Sequence, residues 1–157
     1  MAEEHLDDVY RFLVYLTKDM NTADDLTAET FSRALMTWNR FDERRGSART
    51  WLCQIARSTA LDHFRSEERR RKREQAYAAT EPVSDDRDSF AALSPPLRKA
   101  LGELSAADRE VIALRVILEL DGEAAARVMG IGRTACAMRL SRALKKLEEK
   151  VDINALV

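Results

Sequence analysis

The chain has 157 residues, 45% hydrophobic and 34% charged, with a formal net charge of −1, 5 Gly and 3 Pro. This length accommodates one large domain or two small ones of roughly 60–75 residues each, near the lower limit for a self-supporting core. The longest apolar runs, such as Val116-Ile117-Leu118, are too short to span a membrane, and the acidic start Met1-Ala2-Glu3-Glu4 lacks the apolar core of an export signal. Cys53 and Cys136 form no CxxC pair, so the expected setting is cytoplasmic and reducing, with both thiols buried or incidental.

Helical periodicity dominates the chain, and the fold class is all-α, with no strand or repeat. Residues 4–19 carry Leu6, Val9, Tyr10, Leu13 and Leu16 at three-to-four spacing. Asn21-Thr22 breaks the pattern, with Thr22 placed to cap a second helix that runs to about Trp38 on an apolar side of Leu26, Phe31, Leu35 and Trp38. A charged loop from Arg40 to Ala48, with one glycine at Gly46, precedes a third helix. That helix starts near Arg49 and ends near Arg65 or within Arg69–Arg73, with Leu52, Ile55, Ala56, Thr59 and His63 on one face.

Residues 74–96 lose periodicity and collect acid, Ser and Pro, the composition of a flexible linker, with Phe90, Ala92 and Leu93 as a brief docking turn. Full extension of that stretch reaches roughly 76 Å. Two small helical domains, 1–73 and 97–157, can therefore sit apart or fold back together. In the second, Leu97, Leu101 and Leu104 mark a short helix, and Ser105 opens another bearing Val111, Ile112, Leu114, Val116 and Leu118. Glu123–Met129, the turn Gly130-Ile131-Gly132 and a basic helix from Arg133 to Val151 make a helix-turn-helix pattern.

The near-zero net charge hides segregation. Residues 1–43 and 74–96 are acidic, whereas 44–73 hold 10 basic and 3 acidic side chains. Gly132–Leu147 contains Arg133, Arg139, Arg142, Lys145 and Lys146 and no acid. A single charge run usually marks a solvated face, but two separated basic zones, each inside a helical motif, point to two places where phosphates are met.

Two segments carry a family resemblance. Asp24-Asp25-Leu26-Thr27-Ala28-Glu29-Thr30-Phe31-Ser32-Arg33-Ala34, followed by Thr50-Trp51-Leu52-Cys53-Gln54-Ile55-Ala56-Arg57-Ser58-Thr59-Ala60-Leu61-Asp62-His63-Phe64-Arg65, resembles region 2 of the extracytoplasmic-function (ECF) group of bacterial sigma factors. Leu104–Arg115, Met129-Gly130-Ile131 and Arg139-Leu140-Ser141-Arg142-Ala143 resemble sigma region 4. The resemblance implies core RNA polymerase and promoter DNA as partners and admits an anti-sigma factor. It implies that the helix bearing Asp25, Glu29 and Arg33 docks on the clamp helices of the β′ subunit, with the β flap as a further contact. It also implies that the loop Arg44–Arg49 and the following helix capture the minus-ten element, and that region 4 reads the minus-thirty-five element.

Side-chain chemistry supports these roles independently. Strand capture needs cations for the backbone, which Arg44, Arg45, Arg49, Arg57 and Arg65 supply around Gly46-Ser47. Helical geometry leaves Gln54, Ser58 and Arg65 opposite Leu52 and available to DNA, while Trp51 packs at the side. In the last helix Cys136, Leu140, Ala143, Leu144 and Leu147 form the expected buried stripe. Opposite lie Thr134, Met138, Ser141, Arg142 and Lys145, with Arg139 and Lys146 flanking and Arg133 at the start. Met138 reads equally as a thymine-methyl contact or a protein-binding surface.

The chain departs from the family pattern at Ala28, where members carry Gln in the clamp contact, at Ser58, where Asn is frequent, and at Asp121-Gly122 and Ala135–Met138 in region 4. These departures imply a divergent member. The chain has two histidines, His5 and His63, no metal-ligand spacing and no Gly-rich phosphate loop, so neither metal, cofactor nor catalysis is expected. Two other readings remain: a stand-alone helix-turn-helix regulator, and a sigma-like protein acting mainly through protein contacts.

Overall fold

The computed structural model describes residues 2–75, 90 and 92–155, and within them it contains helices, turns and no strand. Helices α1 (Ala2–Thr17) and α2 (Met20–Met36) are separated by two residues. Lys18 turns the chain at φ 60°, and Asp19, in extended conformation, accepts from the amides of Asn21 and Thr22 at 2.9 and 3.3 Å. Asp19 rather than Thr22 is thus the cap, and the helix starts earlier than the periodicity suggests. A carboxylate at the cap position satisfies amides that otherwise lack an intrahelical partner, and Thr22 supplies one of those amides.

Helix α3 (Ala48–Gln75) crosses both and completes the first core. Val9, Phe12, Leu13 and Leu16 of α1 meet Ala23, Leu26 and Ala34 of α2 and Leu52, Cys53, Ala56 and Ala60 of α3. The buried hydroxyls of Thr27, Thr30 and Thr59 donate to the carbonyls four residues back, at 2.7, 2.7 and 2.9 Å, so no bare polar group faces this core from them. Leu35, expected on the apolar side of α2, is 80% exposed. The buried stripe follows Ala23, Leu26, Thr30 and Ala34, and Leu35 stands one residue, about 100°, beyond it.

Of the two ends expected for α3, the longer is observed. Its last turns leave the core and are laced by Arg70 with Glu67 (3.2 Å) and Glu74 (3.6 Å), and Lys72 with Glu68 (3.7 Å). Such exposed pairs add only a few tenths of a kcal/mol each, ~0.3–0.5, but enough are present to favour helix over coil. Residues 76–89 and 91, most of the expected linker, lie outside the described residues. Phe90 is buried edge-on against Tyr15 of α1, with ring centroids 5.1 Å apart, and Leu93 closes a turn onto its carbonyl, as the docking-turn reading anticipates.

The second half begins with α4 (Pro95–Glu103), capped by Ser94 with prolines in its first turn, where a missing amide costs nothing. Helix α5 (Ala106–Ile112) starts at Ser105, whose hydroxyl accepts from the Asp108 amide at 3.1 Å. It runs into a π-helical turn, Ala113–Ile117, closed by the Leu118 amide on the Ala113 carbonyl. The extra residue in that turn keeps Leu114 and Leu118 buried and pushes Val116 outward, 46% exposed. Helix α6 (Gly122–Met129) is capped by the Asp121 carboxylate on the Ala124 amide. It ends at Gly130 with φ 68°, where Gly130 and Ile131 donate to the carbonyls of Arg127 and Ala126. Helix α7 (Arg133–Ala155) follows and packs on α4, α5 and α6.

The two halves do not stand apart. Helix α1 packs on α5 and α3 on α6, and their apolar residues belong to one contiguous buried cluster. Cys53 lies inside it, fully buried, and burial pushes its thiol up to about 12, Asp8 reinforcing and Arg49 opposing the shift. A thiol-reactive reagent at pH 8 is therefore expected to modify Cys53 only as fast as the native chain unfolds, because the nucleophilic thiolate is absent in the packed state. Rapid labelling of Cys53 in native protein, read by peptide mass, would refute this packing.

Candidate nucleic-acid interface

The basic loop between α2 and α3 is built on aromatic rings. Trp38 stacks on Phe41 at 5.3 Å, and Trp51 meets both, at 5.7 and 5.3 Å, so Trp51 packs as its position on α3 implies. Asp42 caps a short 3-10 turn that holds Arg44 and Arg45 out, their side chains 95% and 88% exposed. Gly46 has φ 154°, a conformation L side chains rarely adopt, and Ser47 then bonds Thr50 to start α3. Between loop and helix lies a polar cavity of about 470 Å³ lined by Arg40, Asp42, Arg45, Gly46, Ser47, Thr50, Trp51 and Gln54, and also by Arg127 from α6.

Four of the seven residues expected at the minus-ten element remain open to solvent: Arg44, Arg45, Ser58 and Arg65, the last 3.6 Å from Asp62. The other three face the C-terminal half. Arg57 pairs with Glu110 at 2.8 Å, Arg49 donates to the Leu118 carbonyl and lies 3.1 Å from Asp8, and the Gln54 amide donates to the Arg127 carbonyl at 3.4 Å. Their availability to DNA, expected from the helical wheel, is corrected here. The wheel separates the α3 core face from its outer face but carries no information about a second module covering the latter.

Helix α7 presents Arg133, Thr134, Met138, Ser141, Arg142 and Lys145 to solvent, the face expected to meet bases, while Cys136 and Ala143 are buried and Leu140 and Leu147 half-buried. Leu144 departs from the expected stripe and is 39% exposed, because Ala143 lies about 20° from Cys136 around the helix and Leu144 about 80°. The two flanking cations turn back. Arg139 is half-buried against Glu110, and Lys146 lies 3.3 Å from Asp108. On α2, Asp25 is exposed, whereas Arg33 bridges Glu29 at 2.7 Å and Asp62 of α3 at 3.1 Å. The face is thus one charge network tied to α3.

The residues that join the halves escaped the sequence reading. Asp108, Arg109 and Glu110 stand together at the start of α5, a run that looks solvated, yet they are 8%, 5% and 5% exposed. Arg109 donates from Nε to the Tyr15 carbonyl at 2.7 Å, from Nη2 to Leu16 at 3.1 Å, and from Nη1 to Leu104. Burial pulls its guanidinium below the ordinary value, with Asp108 opposing. Burial likewise raises the Glu110 carboxyl above its usual range, against the pull of Arg57 and Arg139. The available signal was the Ser105 cap, which fixes which turn of α5 faces inward.

An all-helical chain with an aromatic-backed basic loop in one half and a helix-turn-helix with an acid-free outer face in the other is a two-module DNA-binding protein. The sigma-70 region 2 family model matches residues 1–70 and the sigma-70 region 4 model residues 95–147. The chain is 36% identical over 138 residues to the ECF RNA polymerase sigma factor SigC of Mycobacterium tuberculosis, which covers 87% of this chain and 73% of that protein. It is 31% identical over 154 residues to SigX of Bacillus subtilis, covering 93% and 79%. The sigma factor RpoE in complex with the anti-sigma factor NepR, from Bartonella quintana, superposes with a TM-score of 0.73 at 28% identity, covering 95% of this chain and 92% of that one. The chain belongs to the ECF RNA polymerase sigma factors, proteins that direct polymerase to promoters and initiate transcription. That membership decides against a stand-alone regulator.

Arg109→Ala removes three bonds to carbonyls and leaves them without a donor, which should cost ~3 kcal/mol of stability. Because the lost bonds join α5 to α1, the expected signature in urea is loss of a single shared transition and earlier unfolding of one half. An unchanged midpoint would mean that the seam does not depend on this side chain.

Proposed function

We propose that residues 1–73 and 97–157 act as separate promoter-reading modules joined by 74–96, the first capturing the minus-ten strand and the second reading the minus-thirty-five element in the major groove. The observation that carries this is the outer face of α7, where Thr134, Met138, Ser141, Arg142 and Lys145 share one exposed side behind a buried stripe. Arg and Lys can pair with guanine, Ser and Thr with several bases, and an apolar Met suits a thymine methyl. Arg133 at the helix start sits where phosphate is met. Arg139 and Lys146 serve the packing of α5 instead, and their part in DNA contact is reserved for a chain whose modules have separated.

On the first module, Arg44, Arg45 and Arg65 supply cations for a strand, and the polar cavity beside Gly46 offers room for an unstacked base. Arg49, Gln54, Arg57 and Ser58 extend that surface along α3. Asp25, Glu29 and Arg33 form the surface for the β′ clamp helices of core polymerase, with the β flap meeting the second module. An anti-sigma factor is a further partner, supported by the RpoE relative bound to NepR. Such a chain works in the cytoplasm beside polymerase and performs no catalysis of its own. Among the described residues no helix is long and apolar enough to cross a membrane, and no His/Cys/Asp/Glu group could hold a metal.

In vitro transcription with core polymerase and a promoter library tests the assignment. Arg142→Ala should cost about 1–3 kcal/mol on the preferred upstream element and relax base choice at one position. Arg139→Ala, in the same assay, should leave that choice unaltered. Equal selectivity of wild type and Arg142→Ala across the library would remove α7 from sequence reading. On the polymerase side, Glu29→Arg should weaken core binding in a pull-down while leaving helix content unchanged, since it both reverses a surface charge and repels Arg33.

A further inference from the structure

The three α3 side chains withdrawn from solvent share one feature. Each is met by an oxygen atom of the C-terminal module. The Glu110 carboxylate accepts from Arg57, the Leu118 carbonyl from Arg49 and the Arg127 carbonyl from Gln54. An oxygen array facing cations and an amide is what a nucleic-acid strand would also present. The Arg127 side chain goes further, since a Cβ added at Gly46 would lie 3.0 Å from its Nη1, which places the guanidinium inside the polar cavity of the loop.

We propose that α5, the turn after it and α6 form a built-in stand-in for the DNA strand, so that the free chain masks its own strand-capture surface. This rests on the assignment of that surface to the first module. The contacts suit a reversible mask. They are ion pairs and side chain-to-carbonyl bonds, for which water or phosphate oxygens can substitute, and a buried ion pair contributes little net stability beyond its desolvation cost. Interfaces of this polar kind between modules allow opening as the default, and any partner that binds only the open form shifts the population toward it. Arg127 has a second role in this arrangement. Its charge, flanked by Arg40 and Arg45, is tolerable in the cavity because Asp42 lines it too and Glu123 lies 3.8 Å from its guanidinium.

The test uses the full chain with two variants outside the proposed DNA and polymerase surfaces. Arg127→Ala empties the cavity, and Glu110→Arg sets a cation against Arg57 and Arg139. Small-angle scattering reads the radius of gyration, and fluorescence anisotropy reads binding to a random pool of labelled 12-nucleotide single-stranded DNA. Circular dichroism confirms helix content. The double variant is expected to be larger than wild type and to bind the pool at least tenfold more tightly, with Arg127→Ala alone giving part of the gain. With core polymerase, which holds the modules apart, wild type and variants should initiate equally. Expansion without tighter binding, in a chain that still initiates normally with polymerase, would overturn the mask while sparing the strand-capture assignment. A wild-type chain already as large as the double variant would overturn it as well. Expansion with neither strand binding nor initiation would remove the assignment itself and the mask with it.

Discussion

The arrangement of the whole chain turns on one buried guanidinium. The last carbonyls of α1 have no intrahelical donor, and the negative end of the helix dipole lies there. Arg109 supplies the donors to Tyr15 and Leu16 from another helix and reaches Leu104 in the turn before its own. A cation with five hydrogens in a rigid fork can satisfy three carbonyls at once, which a lysine could not do with the same geometry. Once α5 is fixed to the end of α1, the positions of Glu110 opposite Arg57 and of the α5–α6 turn opposite Arg49 follow from helix geometry. The Phe90–Tyr15 contact closes the same end of α1 from the linker side.

Helix positions were legible in the sequence because three-to-four periodicity, Ser105, Asp121, Gly130 and the prolines before Leu97 each act locally. The misplaced details are local too. Asp19 took the cap in place of Thr22, and Ala143 took the core position expected to be shared with Leu144. Both reflect competition between neighbouring residues that a wheel resolves only to within a residue or so. What the sequence could not show is non-local. Asp108-Arg109-Glu110 reads as a solvated charged turn, and only the approach of α1 and α3 makes it the most buried charged run among the described residues. Candidate strand contacts on α3 were selected by residue type and face, and that logic holds within the module. The oxygens opposite them come from residues 53 to 73 positions further along.

The same physics explains why two modules of this size can pack and still separate. The core of each is apolar and continuous, with small residues such as Ala23, Ala56, Ala60 and Ala126 permitting close helix approach. The seam between them mixes some apolar contact with charged and carbonyl groups whose desolvation has already been offset only in part. Burial raises the Glu110 carboxyl despite two nearby arginines, so the pair with Arg57 is held by the surrounding packing as much as by its own attraction. A strand bearing a full charge on each phosphate is a stronger acceptor for Arg49 and Arg57 than one carboxylate and a backbone carbonyl. The residues that make the closed chain are therefore those with most to gain from DNA once polymerase holds the modules apart. Promoter binding and closure compete for one set of side chains, and the balance between them is set by α5.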